Sequence, residues 1–147
     1  MKISTKGRYG LRVLLDIALH QEGGPVILRD IAKRQKISEK YLWQVINLLK
    51  SAGLVTSVRG AKGGYALAKP PIQISILEVI SILEGPVTIV DCVDSAENCS
   101  RSTTCVTREV WKLIEDNLKK TMAGITLQQL VDKQLANDAG KSFNYVI

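Results

Sequence analysis

The pattern that most restricts the fold lies in residues 1–70, where three segments of helical spacing run into a pair of β-prone runs. "ISEKYLWQVINLLKSAG" (37–53) spaces Leu42, Val45, Ile46 and Leu49 as one apolar stripe, the i, i+3, i+4, i+7 signature of a half-buried helix. Ser38 is suited to cap it, because its hydroxyl can accept an orphan backbone N–H of the first turn; Gly53 suits a left-handed stop. Before it, "ILRDIAKRQK" (27–36) predicts a short helix with Leu28, Ile31 and Ala32 inward. "STKGRYGLRVLLDIALHQEGG" (4–24) predicts a first helix with Leu11, Leu14, Leu15 and Ala18 on one side, stopped by Gly23, Gly24 and Pro25. After the third helix, "LVTSVRG" and "YALAKP" flank "AKGG", a flexible hairpin tip. Three helices and a hairpin make a winged helix–turn–helix, whose third helix enters the major groove while the wing touches the backbone or minor groove.

Charge agrees with that reading. Residues 1–70 hold 13 Lys and Arg against 4 Asp and Glu, whereas residues 71–147 hold 7 against 10. A basic half joined to a mildly acidic one fits a polyanion partner for the first half. Ser38, Lys40, Tyr41, Gln44 and Asn47 fall largely on the helix face opposite the stripe, and Arg59 and Lys62 lie on the wing. The expected contacts to double-stranded DNA are therefore Ser38, Lys40, Tyr41, Gln44, Arg59 and Lys62.

The second half is mainly helical. Pro70 and Pro71 break the chain, Ser75 and Glu78 form a capping box opening a helix through Leu83, and Gly85-Pro86 ends it. "TREVWKLIEDNLKKTM" (107–122) predicts a longer helix with Val110, Trp111, Ile114 and Leu118 on one side. Helix–turn–helix readers bind two half-sites as symmetric dimers on a palindromic operator, and this helix is the expected contact between subunits. Thr126 and Gln129 make a second capping box for "TLQQLVDKQLA", and "NDAGKSFNYVI" (137–147) reads as a mobile tail. The division is thus a head at 1–70, with the helix–turn–helix at about 28–51 and the wing at about 54–69, and a loop-and-dimerisation region at 71–147. No apolar run reaches the eighteen or so residues of a membrane span, and the N-terminus lacks an apolar leader core, so the expected compartment is the cytoplasm.

All three cysteines fall in one polar stretch, "DCVDSAENCSRSTTC" (91–105). An odd number of thiols in a reducing compartment is no disulfide framework. Thiolates are soft ligands for zinc, copper(I) or iron–sulfur clusters. The intervals of six and five residues are wider than a zinc knuckle's and too wide for a C-x-x-C redox pair. They leave zinc and a cluster both open. Such a loop has little apolar material to shape it, so an inorganic guest is expected to order it. Enzymatic function is not expected, because a single histidine, His20, and no base–nucleophile pairing leave little for acid–base work.

"STKGRYGL", "SEKYLWQVINLLKSAGLVTSVRGAKGGYALAK", "EVISILEGP" and three cysteines ahead of "TREVWKLI" resemble the winged-helix regulator family that includes IscR, NsrR and CymR, over about residues 1–135. The resemblance implies a homodimeric transcription regulator, mainly α with a small β-hairpin wing and a long dimerisation helix. It implies an iron–sulfur cluster, 2Fe–2S rather than 4Fe–4S, on Cys92, Cys99 and Cys105, so that iron–sulfur or redox status would control expression.

Several positions depart from the family pattern. Cluster-bearing members place a histidine three residues after the last cysteine, where this chain has Arg108. Others use an N-terminal aspartate, at the position of Arg8. The fourth ligand is therefore open, among Asp91, Asp94, Glu97, Glu109, a group of the other subunit or a small molecule. Related reading helices carry "YLEQ" where this one has "YLWQ", so base preference does not carry over. "MKISTKGRYGL" and the ending "FNYVI" are similar to the CymR-like branch, which represses cysteine metabolism. That likeness implies an alternative function, regulation through a partner enzyme or thiol oxidation, with Tyr145-Val146-Ile147 docking into O-acetylserine sulfhydrylase.

Overall fold

The computed structural model describes residues 1–144. Its elements are α1 (Thr5–His20), α2 (Leu28–Gln35), α3 (Glu39–Ser51), β1 (Val55–Val58), β2 (Gly64–Leu67), α4 (Ile76–Glu84), the single turn α5 (Asp91–Asp94), α6 (Val106–Gly124) and α7 (Leu127–Asn144), with short 3-10 turns between some of them. The strands pair antiparallel from Val55 opposite Leu67 to Val58 opposite Gly64. The fold is mainly helical with a two-stranded wing.

One apolar cluster holds the chain together. Val13, Leu14 and Ile17 of α1 meet Ile31 of α2, Leu42, Val45, Ile46 and Leu49 of α3, Leu54 and Val55 at the wing's base, Val79 and Leu83 of α4, and Leu127 of α7. Helix α1 is central, packing against α2, α3, α4, α7 and β2. That corrects its expected inner face: Leu14 is buried, but Leu11, Leu15 and Ala18 sit at the rim while Val13 and Ile17 are fully enclosed. A helix with neighbours on several sides buries more than one stripe.

The N-caps follow the sequence, with one difference. Ser4, Ser38 and Ser75 hydroxyls accept from Gly7, Tyr41 and Glu78 backbone N–H groups. Thr126 and Gln129 complete a capping box in both directions. The box at Ser75 is half made: Glu78 turns to the Lys69 ammonium at 2.7 and 3.0 Å instead, tying the wing's exit to α4. The last helix runs further than its apolar spacing predicts. Helix α7 continues through residues 137–144, where no proline interrupts it and side-chain bonds from Gln128 to Asp132 and Gln134 to Asp138 support its exposed side. Tyr145-Val146-Ile147 lie outside the described residues.

Candidate DNA-reading head and cysteine loop

In α3, Leu42, Val45, Ile46 and Leu49 lock one face into the core, and the side chains of the other face project from the molecule. Lys40 and Gln44 are exposed there, Ser38 caps the start, and Tyr41 and Asn47 are half-buried. Tyr41 is held by an edge-to-face contact with Tyr9 of α1, ring centres 5.8 Å apart, and Arg12 lies 5.1 Å over the Tyr9 ring. Arg59 and Lys62 are exposed at the far end of the wing. The wing is anchored by a third extended segment: Val26 and Tyr65 exchange backbone bonds of 2.7 and 2.8 Å. Gly64 permits this approach, since a Cβ there would lie 2.6 Å from the Val26 carbonyl oxygen.

The angle between α1 and α2 rests on a buried charge that sequence patterning did not single out. Asp16 is 2 % exposed, yet sits on a predominantly apolar helix. Arg34 of α2 grips it with two parallel bonds, Nε to Oδ2 at 3.0 Å and Nη2 to Oδ1 at 2.7 Å, and Gln35 Nε2 donates to Oδ2 at 2.8 Å. Bonding to Asp16 raises the Arg34 pKa above its ordinary value. Gln35 also accepts from Arg12 Nε at 3.0 Å, so the network leads to Tyr9 and on to Tyr41. His20 stands at the rim, its Nδ1 2.8 Å from the Asp16 carbonyl oxygen. A carboxylate among apolar neighbours, answered by adjacent Arg and Gln on the next helix, was the available signal.

The cysteine loop has its own local order, a correction to the expectation that only a guest could shape it. Cys92 lies on α5, Cys99 follows a 3-10 turn, and Cys105 caps α6. Asn98 Nδ2 donates to the Asp91 carbonyl at 3.0 Å. Arg108 donates from Nε to the Cys92 carbonyl at 2.8 Å and pins the loop to α6. Glu115, 3 % exposed, accepts from the Ile89 N–H at 3.0 Å and from Lys119 at 2.6 Å. The Lys119 bond, against the opposing effect of burial, holds the Glu115 carboxyl below its usual pKa.

All three thiols are free and half-buried. Cys105 Sγ lies 3.1 Å from Thr107 Oγ1, and that contact, with the Arg108 backbone N–H, lowers the thiol's pKa. The three thiols are a soft donor set that suits an iron–sulfur cluster chemically. Among the described residues, no three His, Cys, Asp or Glu side chains are gathered so as to hold a metal ion. Asp91, Asp94, Glu97 and Glu109 are all exposed around the loop.

Helix α6 is packed the wrong way round for a lone chain. Its one fully buried residue is charged, Glu115, while Val106 is 74 % exposed, Leu113 63 %, and Val110, Trp111 and Ile114 are all open. Leu118, expected on the same side, is half-buried. At the other end of the loop, Glu84 closes α4 onto α1: its Oε1 accepts from the Ser4 and Gly7 backbone N–H groups at 3.1 and 3.0 Å and from the Ser4 hydroxyl. Gly7 and Gly10 are packing glycines here. A Cβ on either would lie 2.3 or 2.1 Å from Glu84 Oε1 or Leu83 Cδ1.

No helix among the described residues is long and apolar enough to cross a membrane. The profile of the Rrf2 family, described as "Iron-dependent Transcriptional regulator", matches residues 3–133. The HTH-type transcriptional regulator IscR of Photorhabdus laumondii is 39% identical over 145 residues, spanning 98% of this chain and 88% of that protein. The structure of CymR, the global cysteine regulator of B. subtilis, superposes with a TM-score of 0.77 at 39% identity, covering 90% of this chain and 98% of that one. T. potens IscR follows with a TM-score of 0.74 at 39% identity, covering 91% and 88%. These relatives are regulators and not enzymes. A basic winged head on a helix with an open apolar side thus finds its counterparts among DNA-binding proteins, and the chain belongs to the Rrf2 family of transcriptional regulators.

Proposed function

We propose that this chain works as a symmetric dimer joined through α6, reading a palindromic operator with α3 and the wing, and that its loop carries an iron–sulfur cluster. One observation carries the dimer: the residue α6 buries in its own chain is Glu115, while Val106, Val110, Trp111, Leu113 and Ile114 stay exposed. Exposed Val, Trp, Leu and Ile along one helix mark a surface that a partner covers, and a two-fold partner brings the same surface. Ser38, Lys40, Tyr41, Gln44, Arg59 and Lys62 then meet DNA, with Gln44 able to pair bidentately with adenine.

Cys92, Cys99 and Cys105 would hold the cluster, which would supply sensitivity to iron–sulfur supply and oxidants. The fourth ligand is unassigned. Because the thiols stand apart in the described arrangement, taking three of them as ligands requires the loop to close. Both ends of the loop are tied to elements that matter for reading. Arg108 holds Cys92 to the dimer helix, and Glu84 holds the α4 stem to the start of α1, whose Tyr9 packs on Tyr41 of the reading helix. Loop closure therefore bears on the spacing of two half-site readers, which is what a palindrome measures. Anaerobic protein should be coloured, contain iron and sulfide, and change its operator affinity when the cluster is removed. Colourless, iron-free material whose three-serine variant binds DNA equally well would sink this reading.

A second reading has its own support. Cys105 is a free, partly exposed thiol at the mouth of α6, its Sγ 3.1 Å from the Thr107 hydroxyl, within reach of an oxidant at the start of the proposed dimer helix, as thiol-based control in a CymR-like regulator of sulfur metabolism requires. Peroxide treatment of cluster-free protein separates the two: this reading needs a change in DNA affinity that Cys105→Ser removes.

A further inference from the structure

One residue on the reading helix does not match its neighbours. Lys40, Trp43, Gln44 and Asn47 form a stripe at i, i+3, i+4, i+7, opposite the core-facing Leu42, Val45, Ile46 and Leu49. Three of the four are polar. Trp43 sits in the middle of them and is 55 % exposed, so the largest side chain of the α3 surface lies open within the basic half of the chain.

The chemistry of the groove narrows what an indole can do there. Almost every group on a major-groove base edge is a hydrogen-bond donor or acceptor, and a ring laid over them strips water without replacing it. The exception is the C5-methyl of thymine. Indole is donor-only, and its N–H finds the O4 acceptor on the same base. We infer that Trp43 is a specificity-determining residue that covers a thymine methyl beside the base pair addressed by Gln44. Each half-site then contains an adenine read by the amide and a thymine read by the ring. A carboxylate at this position would instead accept from a cytosine amino group, so the tryptophan sets a different preference.

This rests on α3 being the helix that enters the major groove, and the test separates the two claims. Duplexes recovered by the wild-type protein from a random library are resynthesised with each thymine replaced in turn by deoxyuridine, which removes only the methyl. Wild-type binding should fall about threefold to tenfold at one thymine of each half-site, the worth of one buried methyl. Replacing that T·A by C·G should weaken binding further, and 5-methylcytosine there should recover part of the loss. Trp43→Ala should bind more weakly yet no longer distinguish thymine from uracil at that position, with its melting temperature unchanged. Equal binding of thymine and uracil duplexes at every position overturns the inference; if Trp43→Ala also weakens every duplex uniformly, the ring contacts phosphate instead. If Lys40→Ala, Gln44→Ala and Trp43→Ala all bind as the wild type does, α3 is not the reader, and the premise fails rather than the inference alone.

Discussion

The reading head and the cysteine loop are built on different terms. In the head, α3 sends four apolar residues into a core shared with α1, α2 and α4, and its exposed side chains stand on a frame that many contacts fix. In the loop, residues 88–105 have no fully buried side chain, and a few polar bonds hold the segment: Arg108 to the Cys92 carbonyl, Asn98 to the Asp91 carbonyl and Glu115 to the Ile89 N–H. A densely packed element opens only with the whole fold, whereas one held by a few polar bonds opens locally at small cost. The head suits a constant geometry and the loop suits a signal.

The sharpest test of that contrast is a pair of truncations. Ile46→Ala removes a fully buried side chain of α3 and should cost about 2–5 kcal/mol by transfer and cavity terms, lowering the midpoint of a single urea transition for the whole chain. Cys99→Ala in cluster-free protein should change the stability by less than about 0.5 kcal/mol, as a surface change does, and leave that midpoint nearly where it was. A second transition that responds only to the loop variant would show the two regions unfolding separately.

Next in size is the buried carboxylate of the head. Asp16→Ala leaves the Arg34 fork and the Gln35 amide without their acceptor. Losing one partner of a buried pair costs about 3–5 kcal/mol when the other stays buried. Arg34 is about one-third exposed and can turn to water, so about 1–3 kcal/mol is expected. DNA binding should weaken more than the stability loss accounts for, because the network also sets α2 against α1. Equal DNA affinity at a temperature where the variant is fully folded would reduce Asp16 to a packing role.

What the sequence made legible follows the same division. The helices of the head and the wing were readable because apolar spacing and caps determine them, and Leu42, Val45, Ile46 and Leu49 are buried as their spacing predicts. The central position of α1 was not readable, because a helix surrounded by four others loses its one-sided pattern. Arg108 and Glu115 were missed as anchors because each acts through one hydrogen bond to a distant backbone group, and spacing carries no trace of such a bond. The extension of α7 was missed because residues 137–144 carry no repeating apolar spacing.

The loop's principal anchor gives a pH test. The Glu115 carboxyl has a lowered pKa in the folded chain, so the stability it contributes is present above the ordinary glutamate pKa and lost as pH falls through the depressed folded value. Glu115→Gln should cost about 1 kcal/mol at neutral pH, the net worth of a bond to a charged group replaced by a weaker one. Hydrogen exchange at the Ile89 amide should accelerate accordingly. In the wild type the same loss of protection, measured against the intrinsic exchange rate at each pH, should develop only on acidification below the ordinary glutamate range, and in the variant it should be present throughout. A wild-type Ile89 amide insensitive to acid would show that the loop is held elsewhere.

The smallest effect returns to the head, at the turn that sets α3 against α2. Lys36 ends α2 with φ 55° and ψ 47°, and among the described residues it is the one non-glycine with a positive φ. A Cβ in the left-handed region costs roughly 1–2 kcal/mol, part of which glycine returns by its greater freedom in the unfolded chain. Lys36→Gly should therefore stabilise the protein by less than about 1 kcal/mol. The exposed ammonium goes with it, so if Lys36 lies near the DNA backbone, the salt dependence of operator binding should become shallower by about one phosphate contact. A loss of stability would mean that the lysine itself braces the turn, and that the head, like the loop, depends there on a single side chain.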